Sequence, residues 1–113
     1  MIELKKYIEE NLEQRKEVVG WKEVFLSVLN DFNGEYYIGE DGLLYVFDEC
    51  EETRAKTTVE EMLDVMLTVE EGYVDDANYA DEIKVFVVGR IIDMLSENSI
   101  KGLMDALEHY CQM

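Results

Sequence analysis

Two pairs of carboxylates stand at i, i+3 spacing, Glu10-x-x-Glu13 and Glu61-x-x-Asp64. Residues three apart on a helix share a face. Two such pairs, facing each other, would offer hard oxygen ligands to Mg²⁺, the ion that accompanies nucleoside triphosphates. A denser store of acid is VEEGYVDDANYADE, residues 69–82, with six acids, two tyrosines and no base. Carboxylates at that density meet solvent, bind a cation or face a positive partner.

The E-x-x-E and E-x-x-D pairs resemble the arrangement of the all-α nucleoside triphosphate pyrophosphohydrolases. That resemblance implies a Mg²⁺-dependent nucleotide hydrolase with Glu10, Glu13, Glu61 and Asp64 as the metal ligands. The chain departs from the pattern in two ways: a predicted hairpin lies between the pairs, and no basic cluster is available for phosphate.

Other chemistries fail on spacing. A calcium loop begun at Asp31 has Tyr36 and Gly42 where Gly and Glu are needed. One begun at Asp76 has Asp81 and Val87 there. The single histidine, His109, excludes a two-histidine metal site. His109 and Cys111 are two apart and point to different sides of a helix. Cys50 sits among acids, a poor setting for a nucleophilic thiolate. Gly34, Gly39 and Gly42 precede no Lys-Ser/Thr, and no G-x-S-x-G occurs. The expectation is a non-enzymatic protein without a cofactor.

The totals narrow the class. A chain of 113 residues fits a single domain, 1–113, with enough apolar content (48%) for a core. Its net charge of −17 repels polyanions, which argues against direct binding to nucleic acid or to an anionic membrane. Charges interrupt the opening MIELKKYIEENLEQRK, so nothing there resembles a signal peptide, and no apolar run approaches a membrane span. The two cysteines lack C-x-x-C spacing. A cytoplasmic protein is expected.

The elements that must carry these residues follow from periodicity. Leu4, Tyr7, Ile8, Leu12 and Val19 predict a first helix ending near Gly20. Trp21, Val24, Phe25, Val28, Leu29 and Phe32 predict a second, closed by Asn33-Gly34. EYYIGEDGLLYVFD predicts one antiparallel hairpin, residues 35–48, with strands 35–38 and 43–48. CEETRAK is expected to be a connector. Thr58 and Glu61 have capping-box spacing before a third helix through Val59, Met62, Leu63, Met66 and Leu67. IKVFVV alone resembles a buried strand, but Ile83, Val87, Ile91, Met94 and Leu95 extend a helical row through it. A central, apolar helix is therefore expected. Asn98 or Ser99 should cap a last helix along Ile100, Leu103, Met104, Leu107 and Cys111. The predicted fold is α+β, mostly α: about five helices with the hairpin packed on them.

Charge is unevenly placed. Residues 35–82 hold sixteen acids and only Arg54 and Lys56 as bases. The flanks are nearly neutral, at −2 and −1. Fourteen of the sixteen acids are adjacent doublets: Glu40-Asp41, Asp48-Glu49, Glu51-Glu52, Glu60-Glu61, Glu70-Glu71, Asp75-Asp76 and Asp81-Glu82. Helix starts and loops account for many of these positions, but not for the missing lysines. Tyr36, Tyr37, Tyr45, Tyr73 and Tyr79 lie in the same stretch, and tyrosine is enriched in protein interfaces.

The expectation is a single anionic patch that binds the basic, nucleic-acid-binding surface of a partner protein, such as a nuclease, and excludes the nucleic acid. Its contact residues would be Glu40, Asp41, Asp48, Glu49, Glu51, Glu52, Glu70, Glu71, Tyr73, Asp75, Asp76, Tyr79, Asp81 and Glu82. In size and charge the chain is similar to phage-encoded inhibitors of restriction or CRISPR nucleases and to immunity proteins of nuclease toxins. The other expectation is an acidic regulatory or subunit domain that binds through apolar surface.

Overall fold

Backbone pairing, rather than apolar pattern, settles the β part. The computed structural model describes residues 1–12, 21–31, 35–48, 50–72 and 79–111. Four antiparallel strands form one sheet in sequence order: β1 (Ile2–Glu3), β2 (Tyr36–Ile38), β3 (Leu44–Asp48) and β4 (Thr53–Lys56). The expected hairpin is its centre, with Tyr37 opposite Tyr45. Gly39 N–H donates to Leu43 O, and Gly42 N–H to Gly39 O, closing the loop. Gly42 has φ +78°, a conformation costly for a residue with a Cβ. At Gly39 a Cβ would lie 2.6 Å from the Tyr45 ring, so glycine is what lets the ring pack there.

Two strands flank the hairpin where none was expected. Ile2–Glu3 pairs with β2, and the first helix, α1 (Leu4–Asn11), starts at the first residue of its apolar row but ends at Asn11, where Leu12 turns extended, rather than near Gly20. The connector CEETRAK contains β4, paired to β3 from Asp48–Thr53 to Tyr45–Lys56. All four β4 side chains are exposed, so nothing in their polarity marks a strand. The turn between β3 and β4 is held by Asp48, whose Oδ1 accepts from Cys50 N–H at 2.9 Å. Glu52 in that turn takes a left-handed φ of 53°.

The helices are α1, α2 (Trp21–Asp31), α3 (Val59–Gly72), α4 (Tyr79–Met94) and α5 (Ile100–Cys111). α4 absorbs IKVFVV as helix, and packs on α2, α3 and α5. Val87, Val88 and Ile91 of α4 are fully buried with Phe25, Met62, Leu63, Met66 and Leu103. Tyr36, Ile38 and Leu44 close this core from the sheet. The architecture is α+β and mostly helical. Among the described residues no helix is long and apolar enough to cross a membrane.

Caps lock the helix starts together. Thr58 Oγ1 accepts from Glu61 N–H at 3.2 Å, one half of the expected capping box. The Glu61 carboxylate accepts instead from the Thr57 hydroxyl at 3.1 Å. Ser99 caps α5 by accepting from Gly102 N–H at 3.0 Å. Asn98 does not cap its own helix. Its Oδ1 reaches α3 and accepts from Glu60 N–H at 3.0 Å. Two of the orphan donors at the start of α3 are thus satisfied, one by a residue 38 positions away.

Candidate interaction surfaces

The acids fall into groups that differ in what their carboxylates do. Glu40 and Asp41 are exposed at the hairpin tip, while Asp48, Glu51 and Glu52 lie at the other end of β3. Five residues of strand put these groups about 16 Å apart. The Asp41 carboxylate is engaged: it accepts from the Tyr45 hydroxyl at 2.6 Å and from Leu43 N–H at 3.0 Å. Those two bonds, the hydroxyl first, hold its pKa below the usual carboxylate value. The same contact raises the Tyr45 pKa. Asp48 is likewise spent on its own turn.

Adjacent acids on a helix do not act as units. Successive side chains are about 100° apart around the axis, and the Glu70-Glu71 doublet is split: Glu70 is 1% exposed and Glu71 is at the surface. Glu70 therefore offers no surface to a partner in this packing. Glu82 is exposed on α4. Tyr79 and Asp81 lie in the first turn of α4. Glu49, Tyr73, Asp75 and Asp76 lie outside the described residues, as does Glu13. The single patch expected from the doublets is therefore not assembled from all of them.

What the structure does assemble is a groove between α3 and α4. Glu60, Asp64, Leu67 and Glu71 recur at i, i+4, i+7 and i+11 along one stripe of α3. The facing stripe of α4 carries Phe86, Gly89, Arg90 and Asp93. Two depressions sharing Ile92 run between them. One, of about 360 Å³, is lined by Leu67, Glu71, Val85, Phe86, Gly89, Arg90, Ile92 and Asp93. The other is lined by Glu60, Leu63, Asp64, Ile92 and Leu95. The floor is apolar, and the rim bears four acids and one base. Among the described residues the Asp64, Glu71 and Asp93 carboxylates accept no hydrogen bond. The groove was legible only in part. The α3 spacing and the isolated Gly89 inside an apolar helix were readable signals, whereas Asp93 lies outside the acidic stretch and its relation to α3 is tertiary.

A second surface is the outer face of the sheet. Alternation puts Tyr37, Tyr45, Phe47, Arg54 and Lys56 on it, away from the buried Tyr36, Ile38 and Leu44. Both cations of residues 35–82 are thus on the sheet. The Arg54 guanidinium stacks 4.3 Å from the Tyr37 ring centroid. Lys56 lies close enough to Asp41 to help lower its pKa. Of the hairpin tyrosines, Tyr36 belongs to the core, and burial raises its pKa.

The metal pairs are not drawn together by the main packing. Glu10 is exposed on α1, which packs on β1, β2 and α2. Glu61 and Asp64 are on α3 and Glu61 is bonded to Thr57. Among the described residues no three His, Cys, Asp or Glu side chains converge to hold a metal ion. His109 is exposed near the end of α5, and Cys50 is exposed in the β3–β4 turn. No protein-family model, curated protein or solved structure matches this chain.

Proposed function

We propose that this is a small, acidic, non-enzymatic binding protein that occupies a basic surface on a partner protein, of the kind that otherwise engages nucleic acid, and so inhibits that partner. The observation that supports the reading is the rim of the α3–α4 groove. Glu60, Asp64, Glu71 and Asp93 line it against a single Arg90, while the two cations of the acidic stretch lie on the sheet. Carboxylates without internal partners are already solvated, and they attract a basic surface over roughly a Debye length, about 8 Å at physiological salt.

The test is affinity capture with the immobilised protein from cell lysate, followed by salt elution and by competition with duplex DNA. A partner of this class is released between about 0.05 and about 0.5 M salt and displaced by DNA. Asp64→Asn/Glu71→Gln/Asp93→Asn loses it, whereas Glu40→Gln/Glu51→Gln/Glu52→Gln retains it. A partner that resists salt and DNA and ignores both sets of substitutions would instead establish the apolar subunit reading, which the exposure of Phe86 favours.

A further inference from the structure

The floor of the groove says more than its rim. Phe86, at the lip, is 56% exposed, the largest exposure among the large hydrophobic side chains of the described residues. Gly89 lies one turn further along α4, in the interior of a sixteen-residue helix. Glycine there costs about 1 kcal/mol relative to alanine. The fold does not call for it: a Cβ on Gly89 would meet nothing within 4 Å. A bare backbone beside an exposed aromatic ring is the surface that a closely packed helix requires, since small residues let the ridge of a partner helix settle between side chains.

We propose that the α3–α4 groove receives a cationic amphipathic helix of the partner, seated over Gly89 with its apolar stripe against Leu67, Val85 and Ile92. This rests on the reading of a basic partner and adds the form of its contact. A helix is favoured over an extended strand because both walls of the groove are helices whose backbone donors and acceptors are internally paired, leaving no edge to extend. Lysine or arginine on the flanks of the incoming helix meets Glu60, Asp64, Glu71 and Asp93. A second copy of this chain is disfavoured, because each copy carries −17 and would bring acid to an acidic rim. From Glu60 to Glu71 the groove runs about 16 Å, three turns of helix.

The probe is a synthetic peptide of about 14 residues with leucine at i, i+3, i+4 and i+7 and lysine elsewhere. It is compared with a scrambled peptide of the same composition and with a glutamate-for-lysine version. The lysine peptide should become helical on binding and shift the amide resonances of residues 63–71 and 85–95. The scrambled peptide should bind about tenfold more weakly, or less well still, because it cannot present an apolar stripe, and the glutamate version should not bind. Gly89→Leu fills the groove and should weaken the lysine peptide by about tenfold or more, a factor that corresponds to 1.4 kcal/mol, while thermal stability is kept or raised. Phe86→Ala is a second variant that should weaken it without unfolding the protein. Equal binding of the scrambled peptide, equal binding to Gly89→Leu, or shifts centred on the sheet would overturn the proposal. Partner capture separates the two ideas. If Gly89→Leu keeps a salt-sensitive partner that Asp64→Asn/Glu71→Gln/Asp93→Asn loses, the acidic reading stands and the helix groove falls. If the charge variant keeps it too, both fall.

Discussion

The hairpin and the α3–α4 groove are both acidic, yet their carboxylates have different occupations. In the hairpin and the turn after it, Asp41 and Asp48 accept from nearby N–H and O–H groups and hold the backbone in shape. In the groove, Asp64, Glu71 and Asp93 point from the sides of helices whose N–H groups are already donated to carbonyls one turn back. A loop leaves donors unpaired and a carboxylate finds them, whereas the middle of a helix leaves none. Equal formal charge thus becomes structural at Asp41 and Asp48 and stays available for binding at Asp64, Glu71 and Asp93.

The sharpest separation of fold from groove lies within α4. Ile91 is fully buried on the side away from Gly89, so Ile91→Ala should cost about 2–5 kcal/mol in denaturant unfolding. Phe86→Ala, on the groove side, should cost clearly less, because most of its ring is exposed. A loss at Phe86 comparable to that at Ile91 would make the exposed ring part of the core and end the distinction.

Next in size is the long-range cap. Asn98→Ala removes the acceptor of Glu60 N–H and should cost about 1 kcal/mol. The groove rim begins at Glu60, so amide exchange in the first turn of α3 should rise as well. Unchanged exchange would mean that the rim is positioned without the α4–α5 loop.

Smaller, and opposite in sign, is Gly89→Ala. With nothing within 4 Å of the new Cβ it should stabilise the protein by up to about 1 kcal/mol. A loss of stability would show that glycine is there for the fold.

The sequence carried the fold better than the site, for physical reasons visible in single elements. α3 and α5 followed from apolar spacing because one face of each is buried. α4 followed because the row from Ile83 to Leu95 is longer than any strand. β4 was missed because Thr53, Arg54, Ala55 and Lys56 are exposed on an edge, and their strand character comes from pairing with β3. β1 was missed because two residues carry no period. For the site, the segregation of charge into residues 35–82 was readable, but the doublet was the wrong unit. A helix sends neighbouring side chains to different faces, as the burial of Glu70 beside Glu71 demonstrates. The Asn98 contact could not be read at all, since its partner is on another element.

The least costly way to probe the hairpin side is pH. Asp41 has a pKa lowered by the Tyr45 hydroxyl first and Leu43 N–H second. Its contribution to stability is therefore complete above the ordinary carboxylate pKa and is lost as pH falls through the lowered value. Tyr45 has a pKa raised above 10.0, first by its hydrogen bond to Asp41. Its contribution is complete below the ordinary value and lost as pH rises through the raised one. The pair therefore holds the hairpin across the whole interval between. Asp41→Asn should lower the Tyr45 pKa toward 10.0 in a tyrosine titration followed by ultraviolet difference absorbance. The groove acids should show no such coupling to the hairpin: Glu71→Gln should leave the Tyr45 titration where it was. If Asp41→Asn also leaves Tyr45 unmoved, the hairpin carboxylate is as idle as those of the groove, and the two acidic regions differ in position alone.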